Sequence, residues 1–306
     1  EQHQTGDKFW DCSIDRFHER IRAFVKIEDG CDRFCSYCII PKSRGRVRSK
    51  PLDTLKNEIE ALANGGIREI VLVGINLSAY GKGEDFNIVD AVKICNENEK
   101  IKRIRLGSLE PDHLTDEVID GLASCEKLCP QFHISLQSGC NKTLKSMNRH
   151  YTAEEYKALC TKLRASFDDA SLTTDVMVGF NDETEADFNE SLDFIKGIAF
   201  EKVHVFPYSE RVGTAASKRG DNVSKQEKER RAAVMIEETE KIRHNYLKSL
   251  VNTSKKVLFE NEIKPGIYQG YTKSYLPVRM KYDRNIVGEE LEVKITNYCD
   301  EFCIAE

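Results

Sequence analysis

The sequence has no apolar run long enough to cross a bilayer and no secretory signal at its start. Its 306 residues are 40% hydrophobic and 32% charged, enough for one large domain and a small one. The first residue is Glu1 rather than Met, which indicates a processed chain or a fragment. Disulfide frameworks belong to short secreted domains, so eleven cysteines in a chain of this length predict a reducing cytoplasm. The lack of a long apolar run predicts that no membrane is a partner. A net charge of −5 argues against polyanion binding by the whole surface, but not against a local basic patch.

Short β-branched runs alternate with amphipathic helical stretches over most of the chain. This alternation predicts an α/β fold of parallel strands joined by right-handed crossovers. The predicted strands cover 22–28, 68–74, 103–108, 132–138, 173–180 and 202–209. Six units are too few for a closed eightfold barrel. We therefore expect an open, partial (β/α)6 barrel over 21–250, with its site at the carboxyl ends of the strands.

Residues 251–306 change to short strands with turn signals and predict a small all-β, OB-like barrel. Lys273 and Arg279 belong to a basic stretch of this barrel and are candidate RNA contacts. Four tyrosines are interleaved with that stretch: Tyr268, Tyr271, Tyr275 and Tyr282. Rings and cations suit single-stranded RNA, although tyrosines in a β-barrel also serve as core and cross-strand packing.

Three cysteines, Cys31, Cys35 and Cys38, lie in the stretch "GCDRFCSYC" at the end of the first predicted strand. A zinc site requires a fourth Cys or His, and none follows in the loop. A redox dithiol needs only Cys35 and Cys38. Three thiolates on a four-iron, four-sulfur cluster leave one iron open for a substrate-like ligand.

This motif, followed by six βα units, resembles the radical S-adenosylmethionine (SAM) enzymes. The resemblance implies that the open iron binds the amino and carboxylate groups of SAM, which is then cleaved to a 5′-deoxyadenosyl radical. It also implies eight SAM contacts in this chain: Tyr37, Gly74, Asn76, Ser108, Glu110, Gln137, Arg149 and Asp175. On their own chemistry, Arg149 can equally form a surface ion pair and Asp175 can satisfy backbone groups.

The stretches "SLQSGCNKTLKSMNRHYT", "TTDVMVGFNDETEADF" and "VFPYSERVGTAA" resemble methylthiotransferases, and the terminal barrel resembles the RNA-binding TRAM domain of that family. The stretches "GCDRFCSYCIIPKSRGRVRSK" and "GINLSAYG" are most similar to the threonylcarbamoyladenosine tRNA branch. The resemblance implies addition of a methylthio group to C2 of a modified adenosine beside the anticodon. An electron donor such as flavodoxin or ferredoxin is a further expected partner.

The sequence departs from this family at its amino terminus. The family carries an amino-terminal domain whose three further cysteines bind a second [4Fe-4S] cluster, the source of the sulfur. Here residues 1–20 resemble the linker after that domain, and Cys12 alone cannot replace it. The other cysteines are interpreted as structural. We therefore expect this chain alone to cleave SAM without transferring a methylthio group.

A basic loop, 42–50, follows the three cysteines, and its five cations are candidate contacts for anticodon-stem phosphates: Lys42, Arg44, Arg46, Arg48 and Lys50. The alternative for this stretch is an exposed, solvated loop. Two rival functions remain open. One is methylthiolation of an aspartate in a ribosomal protein, and the other is a non-catalytic RNA-binding module that keeps an iron–sulfur cluster for structure.

Overall fold

A computed structural model of the chain describes Phe9, residues 21–299 and residues 301–306. Apart from Phe9, the predicted linker 1–20 and Cys12 lie outside the described residues. Within that part of the chain, no helix has the length and apolar character needed to span a membrane.

Strands and helices alternate up to the last long helix, after which only strands follow. The strands are β1 (Arg22–Lys26), β2 (Glu28–Asp29), β3 (Arg48–Ser49), β4 (Glu69–Val73), β5 (Arg103–Leu106), β6 (Ser108–Leu109), β7 (Gln131–Ile134), β8 (Ser171–Val178), β9 (Lys202–Pro207), β10 (Ser254–Lys264), β11 (Ile267–Thr272), β12 (Pro277–Lys281), β13 (Glu290–Tyr298) and β14 (Cys303–Ala305). The helices are α1 (Ile40–Arg44), α2 (Leu52–Asn64), α3 (Ile88–Glu97), α4 (Asp116–Ala123), α5 (Asn141–Ser146), α6 (Ala153–Ser166), α7 (Glu185–Ile198) and α8 (Lys225–Leu250).

The six predicted strands correspond to β1, β4, β5, β7, β8 and β9, which run parallel in chain order. The predicted strand 103–108 is split at Gly107 into β5 and β6, and β6 pairs with β7. Hydrogen bonds at Ile104 connect β5 to the segment before β7, so the two parts of the sheet are continuous. Among the described residues β1 and β9 each pair with one neighbour, and the partial barrel is open. The predicted fold class is confirmed.

Successive side chains of each strand point to opposite faces of this sheet. On one face, residues such as Ala23, Ile70, Phe132 and Val176 pack against the helices in one apolar core. The other face, here called the lumen face, carries most of the polar strand residues. Its members include Arg22, Phe24, Glu69, Arg103, Arg105, His133, Thr173, Asp175, Lys202 and His204.

Helix boundaries follow local chemistry. Thr152 and Glu155 form the predicted capping box at the start of α6, whereas at α8 Ser224 accepts from the Glu227 amide without the reciprocal bond. The helix α8 contributes side chains to two hydrophobic cores: Met235 packs in the core of the partial barrel, and Leu247 packs in the core of the C-terminal barrel. It therefore connects the two barrels rigidly.

The C-terminal barrel is closed, in the strand order β10-β11-β12-β14-β13. At Gly270 the backbones of β10 and β11 approach so closely that a Cβ would lie 2.3 Å from the Leu258 carbonyl oxygen. Tyr268 is buried in the barrel core, which agrees with the packing alternative for that tyrosine.

The C-terminal barrel docks at the amino ends of the parallel strands through buried arginines. Arg105 donates to Glu69 Oε1 at 2.9 Å, to the Lys273 carbonyl at 2.8 Å and to the Thr272 carbonyl at 2.8 Å. Arg103 donates to the Tyr271 carbonyl at 2.7 Å and to Glu290. Both arginine side chains are nearly inaccessible to solvent.

Two tyrosines of the barrel belong to the same junction. The rings of Tyr271 and Tyr275 stack at 5.0 Å, and the Arg22 guanidinium lies 5.0 Å from each ring centre. Arg22 also donates to Glu69 Oε1 at 2.5 Å and pairs with Glu260. These two rings therefore contribute to the contact between the barrels.

We predict that Arg105→Met lowers the free energy of unfolding, measured in urea, by about 3 kcal/mol or more, because it leaves buried Glu69 short of a donor. The matched control is Arg230→Met, which removes an exposed guanidinium from Glu185 and Glu227 and should cost less than about 1 kcal/mol. Equal small losses in the two variants would contradict a stabilising role for the Arg105 network.

Candidate cluster and cofactor site

The three cysteines of the "GCDRFCSYC" motif occupy the loop after β2, which pairs with β3 and closes the loop as a hairpin. The Cys31 amide donates to the Gly45 carbonyl at 3.0 Å, and the Cys38 amide donates to Cys35 at 3.0 Å. Gly30 has a φ of +89°, and a Cβ there would lie 2.0 Å from the Arg46 carbonyl oxygen. Only glycine fits this position.

The middle of the loop is fixed to segments that arrive much later in the sequence. The Ser36 amide donates to the Met147 carbonyl at 2.9 Å, and the Ala216 amide donates to the Ser36 carbonyl at 2.6 Å. The Asn148 side chain donates to the Phe34 carbonyl at 3.0 Å, which holds Phe34 at a φ of 53°. These hydrogen bonds fix the position of the loop relative to α5 and to the segment after β9.

The thiols are close enough to affect one another. Burial, followed by the neighbouring Cys35, Cys38 and Glu110, raises the pKa of Cys31 to about 11. Burial also raises the pKa of Cys38. Arg149 Nη1 donates to Cys35 Sγ at 3.3 Å, the contact expected of a cation beside a thiolate.

These residues fit a cluster better than a single ion. Nowhere in the described residues do three His, Cys, Asp or Glu side chains converge as ligands of one metal ion. A four-iron cluster instead takes each thiolate on a different iron. Cys31, Cys35 and Cys38 would hold it, and the Arg149 guanidinium would offset its negative charge.

Two predicted SAM contacts form a buried ion pair next to Cys35. Arg149 pairs with both carboxylate oxygens of Glu110, and its Nε donates to the Tyr151 hydroxyl at 3.0 Å. Arg33 adds a second cation, since it lies 3.5 Å from Glu110 and donates to Asp112 at 2.6 Å. Arg149 thus forms a buried ion pair, and not the surface ion pair that was one interpretation of its sequence position.

The loop after β4 contains the predicted contacts Gly74 and Asn76, and a buried carboxyl supports it. The Asn76 amide donates to Glu28 Oε2 at 2.7 Å, and a Cβ on Gly74 would lie 2.6 Å from the same oxygen. Burial raises the pKa of Glu28 to about 8. Asn76 Oδ1 is buried and accepts no hydrogen bond within the described residues, so an acceptor is left for an ammonium group such as that of SAM.

The remaining predicted SAM contacts are distributed around the carboxyl ends of the strands. Ser108 is exposed in β6, whereas Gln137 is buried at a φ of 70° and its amide donates to the Asp175 carbonyl at 2.9 Å. The Asp175 carboxylate lies 3.2 Å from His133 Nε2 on the lumen face. Tyr37 packs edge-on against Phe180 at 6.0 Å. Their roles toward SAM stay predictions.

The basic loop 42–50 presents fewer cations than its sequence suggests. Lys42, Arg44 and Arg46 are exposed, and Arg48 is half-buried beside Asp29 at 3.5 Å. Lys50 is buried and paired with Glu58. The expectation that Lys50 contacts RNA is therefore wrong, because its ammonium does not reach the surface.

The two candidate contacts of the C-terminal barrel are half-buried. The Arg279 guanidinium lies 3.7 Å from the centre of the Phe302 ring, and its Nε donates to Gln269 at 2.8 Å. The Lys273 carbonyl accepts from Arg105. A role for either side chain in RNA binding stays a prediction.

Sequence reasoning missed Glu28, Arg33 and His133. Glu28 ends the predicted strand 22–28, Arg33 lies between Cys31 and Cys35 in the cysteine motif, and His133 alternates with apolar residues in a predicted strand. A polar residue in a strand pattern is the signal that can find Glu28 and His133, because a buried strand rarely carries one without a partner. Arg33 has no such signal.

A family model described as the radical SAM superfamily matches residues 25–195. The chain is 36% identical over 290 residues to the threonylcarbamoyladenosine tRNA methylthiotransferase MtaB of Thermotoga maritima, covering 94% of this chain and 66% of that protein. It is 37% identical over 282 residues to the tRNA-2-methylthio-N(6)-dimethylallyladenosine synthase of Natranaerobius thermophilus, covering 91% of this chain and 62% of that protein. The chain thus spans about two thirds, or slightly less, of the length of these relatives.

Among solved structures, coproporphyrinogen III oxidase (HemN) from Escherichia coli is similar, with a TM-score of 0.55. The two proteins are 15% identical, and the match covers 86% of this chain and 68% of that chain. At this identity the likeness concerns the fold alone.

We predict that Cys35→Ala abolishes cluster assembly. After anaerobic reconstitution, the unaltered chain should hold about four irons and four sulfides with the absorbance of a [4Fe-4S] cluster. The control is Cys160→Ala, since Cys160 is buried in α6 away from the loop and should leave the iron content unchanged. Four-iron absorbance in the Cys35→Ala protein would show that the ligands are misassigned.

We also predict that Glu28 makes the chain less stable as the pH rises. The folded state keeps a proton on Glu28 up to about pH 8, whereas the ordinary pKa is 4.5, so the unfolding free energy falls between those values. Glu28→Gln, which cannot ionise, should flatten that fall in urea titrations between about pH 5 and 8. Glu201, whose pKa burial raises to about 7, acts in the same direction, and Glu201→Gln serves for comparison. An unchanged slope in Glu28→Gln would mean that Glu28 is ionised in the folded chain.

Proposed function

The chain belongs to the radical SAM superfamily, and we propose that it is the radical-generating part of a tRNA methylthiotransferase. The proposed reaction adds a methylthio group to C2 of N6-threonylcarbamoyladenosine beside the anticodon. The observation that carries the proposal is the fixed three-cysteine loop with Arg149 and Glu110 at the carboxyl ends of the strands, in a chain similar to tRNA methylthiotransferases along most of its length.

Each group of residues has a defined task. Cys31, Cys35 and Cys38 would hold a [4Fe-4S] cluster, and Asn76 would accept from the ammonium group of SAM. When bound, the cluster and SAM supply the 5′-deoxyadenosyl radical. The protein orients the reactants and keeps water out, and the buried Arg149–Glu110 pair holds the site rigid.

RNA binding is assigned to the exposed cations Lys42, Arg44 and Arg46, which follow the three cysteines in the loop 30–47 between β2 and β3, here called the cluster loop. Contacts with phosphates would make binding depend on salt. The C-terminal barrel, proposed to be TRAM-like, would bind the anticodon stem-loop together with this loop. An acidic electron donor such as flavodoxin or ferredoxin would reduce the cluster.

We propose that the sulfur donor lies outside the residues described above. Apart from the cluster loop, the described cysteines are free thiols, no three of which converge, and six of them are buried: Cys95, Cys125, Cys129, Cys140, Cys160 and Cys303. A second [4Fe-4S] cluster on an amino-terminal domain would supply the sulfur, since transfer needs radical and donor within reach of one carbon. We expect the 306-residue chain alone to form 5′-deoxyadenosine without methylthiolating tRNA.

We predict that tRNA nucleosides from cells lacking the full-length gene have lost methylthio-threonylcarbamoyladenosine and have gained its unmethylthiolated precursor. Liquid chromatography with mass spectrometry of digested tRNA measures both. The unaltered full-length gene should restore the product, and the gene with Cys35→Ala should not.

The same cells decide between the alternatives. Intact mass of the ribosomal proteins tests methylthiolation of an aspartate, and a loss there with normal tRNA nucleosides would replace the proposal. No change in either class of molecule would favour the non-catalytic RNA-binding module.

A further inference from the structure

Exposed cations at the carboxyl ends of the parallel strands lie on three separate segments. These are the cluster loop, the helix α5 after β7, and residues 208–224 between β9 and α8. Six exposed lysines and arginines of these segments are called here the cationic rim: Lys42, Arg44, Lys145, Arg211, Lys218 and Arg219. The last four have been given no role above.

Hydrogen bonds hold the three segments against one another. Lys42 Nζ donates to the Gly213 carbonyl, which joins the cluster loop to the segment after β9. The Arg219 guanidinium donates to the Ser146 carbonyl at 3.1 Å and to Ser146 Oγ at 2.8 Å, which joins that segment to α5. It also donates to Ser36 Oγ in the cluster loop at 3.3 Å. The six cations therefore belong to one surface region.

This region borders the three cysteines. Burial raises the pKa of Cys38, and the nearby charge of Arg211 opposes that rise. Ser36, which Arg219 contacts, lies between Cys35 and Cys38 in the sequence. A ligand bound to the cationic rim would therefore lie beside the residues proposed to hold the cluster.

The rim cations lack the acidic partners that other surface cations have. Four of them form no side-chain hydrogen bond or ion pair with any residue that the structure describes, and the other two, Lys42 and Arg219, donate to neutral oxygens. In contrast, Lys142, which is also exposed on α5, pairs with Asp187 at 2.6 Å. The rim thus differs from a surface on which charges of both signs neutralise one another.

The three segments contain three acids, and two of them are engaged with other cations. Asp32 pairs with Arg46 at 3.2 Å, and Asp221 pairs with Lys228. Glu210 is exposed and has no partner within the described ranges. Six cations against one such carboxylate, in a chain with a net charge of −5, form a local excess of positive charge that attracts anions.

The composition of the region favours RNA as the anion. Three of the six cations are arginines, whose planar guanidinium groups match phosphate with two parallel hydrogen bonds. Phe34 of the cluster loop is 49% exposed, and the Arg46 guanidinium lies 5.0 Å from its ring centre. Unpaired bases stack on such rings, whereas an acidic protein would need only the cations.

We propose that Lys145, Arg211, Lys218 and Arg219 bind backbone phosphates of the substrate RNA, so that α5 and the segment between β9 and α8 extend the RNA contact of the basic loop 42–50. The inference rests on the proposed function and names further residues of its RNA interface. Phosphate contacts fix the position and orientation of a nucleic acid. Contacts from three segments that meet beside the cysteines would orient the RNA more strictly than one loop.

The test is fluorescence anisotropy with a labelled anticodon stem-loop RNA between about 50 and 200 mM salt. Arg211→Ala with Lys218→Ala removes two cations that have no partner among the described residues. This double variant should weaken binding about tenfold or more at the lowest salt, and should reduce the slope of log K against log salt by about 1.5. Arg211→Lys with Lys218→Arg keeps both charges and should retain the affinity. The unfolding free energy in urea should stay unchanged in both double variants.

The helix α5 offers a matched pair of lysines. Lys145→Ala should weaken RNA binding and reduce the salt slope by about 0.8, because it removes one unpaired cation. Lys142→Ala should leave both quantities unchanged, because that lysine is already paired with Asp187. Equal effects of the two substitutions would contradict a specific role for the rim.

Failure of the inference can be distinguished from failure of the proposed function. If Arg44→Ala weakens RNA binding while Arg211→Ala with Lys218→Ala does not, the inference is overturned and RNA binding by the basic loop stands. If the unaltered chain binds no stem-loop, the inference is also overturned, and the tRNA nucleosides of cells lacking the full-length gene decide separately on the function.

An acidic flavodoxin serves as the competing partner. It is titrated into the unaltered chain and into the Arg211→Ala, Lys218→Ala variant under the same salt conditions. Weaker flavodoxin binding by the variant, together with unchanged RNA binding, would assign the rim to the electron donor and overturn the proposal. Weaker RNA binding with unchanged flavodoxin binding supports it.

Discussion

Every second side chain of a parallel strand must face away from the helices, and this constraint organises the whole molecule. A closed eightfold barrel fills that inner face with packed side chains, whereas an open barrel of six strands exposes it. Here the lumen face carries Arg22, Glu69, Arg105, His133 and Lys202 in place of an apolar filling. Each of these polar side chains has to be covered by another part of the protein, paired with an opposite charge, or used in binding.

The charged side chains at the two ends of the lumen face differ in how far they are buried. At the amino ends, Arg22 and Arg105 converge on Glu69, and the C-terminal barrel covers them with backbone carbonyls. At the carboxyl ends, Arg149 and Glu110 pair beside Cys35, and no domain in the described residues covers the exposed cations Lys42 and Arg44. Burial of charge thus produces rigidity at one end, and exposure leaves the cations at the other end accessible to solvent.

Much of this arrangement could be predicted from local patterns. The six strands follow from β-branched runs, and the cluster loop follows from the spacing of Cys31, Cys35 and Cys38. Exposure could not be predicted in the same way. Lys42 and Lys50 belong to the same basic stretch of the sequence. Lys50 is nevertheless buried against Glu58, because it follows β3 at the end of the hairpin that α2 covers. A hydrogen bond between residues distant in sequence, such as that from Arg105 to the Thr272 carbonyl, produces no local sequence pattern from which it could be predicted.

The position of the C-terminal barrel has a consequence for both of its surfaces. Tyr271 belongs to the junction with Arg22 and also to the wall of a cavity of about 840 Å³ between the partial barrel, α8 and the C-terminal barrel, so the C-terminal barrel encloses the amino-terminal end of the lumen. The helix α8 fixes this geometry, since its first half packs with the partial barrel and Leu247 with the C-terminal barrel. A barrel on a flexible linker would not keep one position relative to the strands. Held by α8 and by Arg105, the C-terminal barrel instead forms a fixed wall of this cavity and covers the charged side chains at the amino ends of the strands.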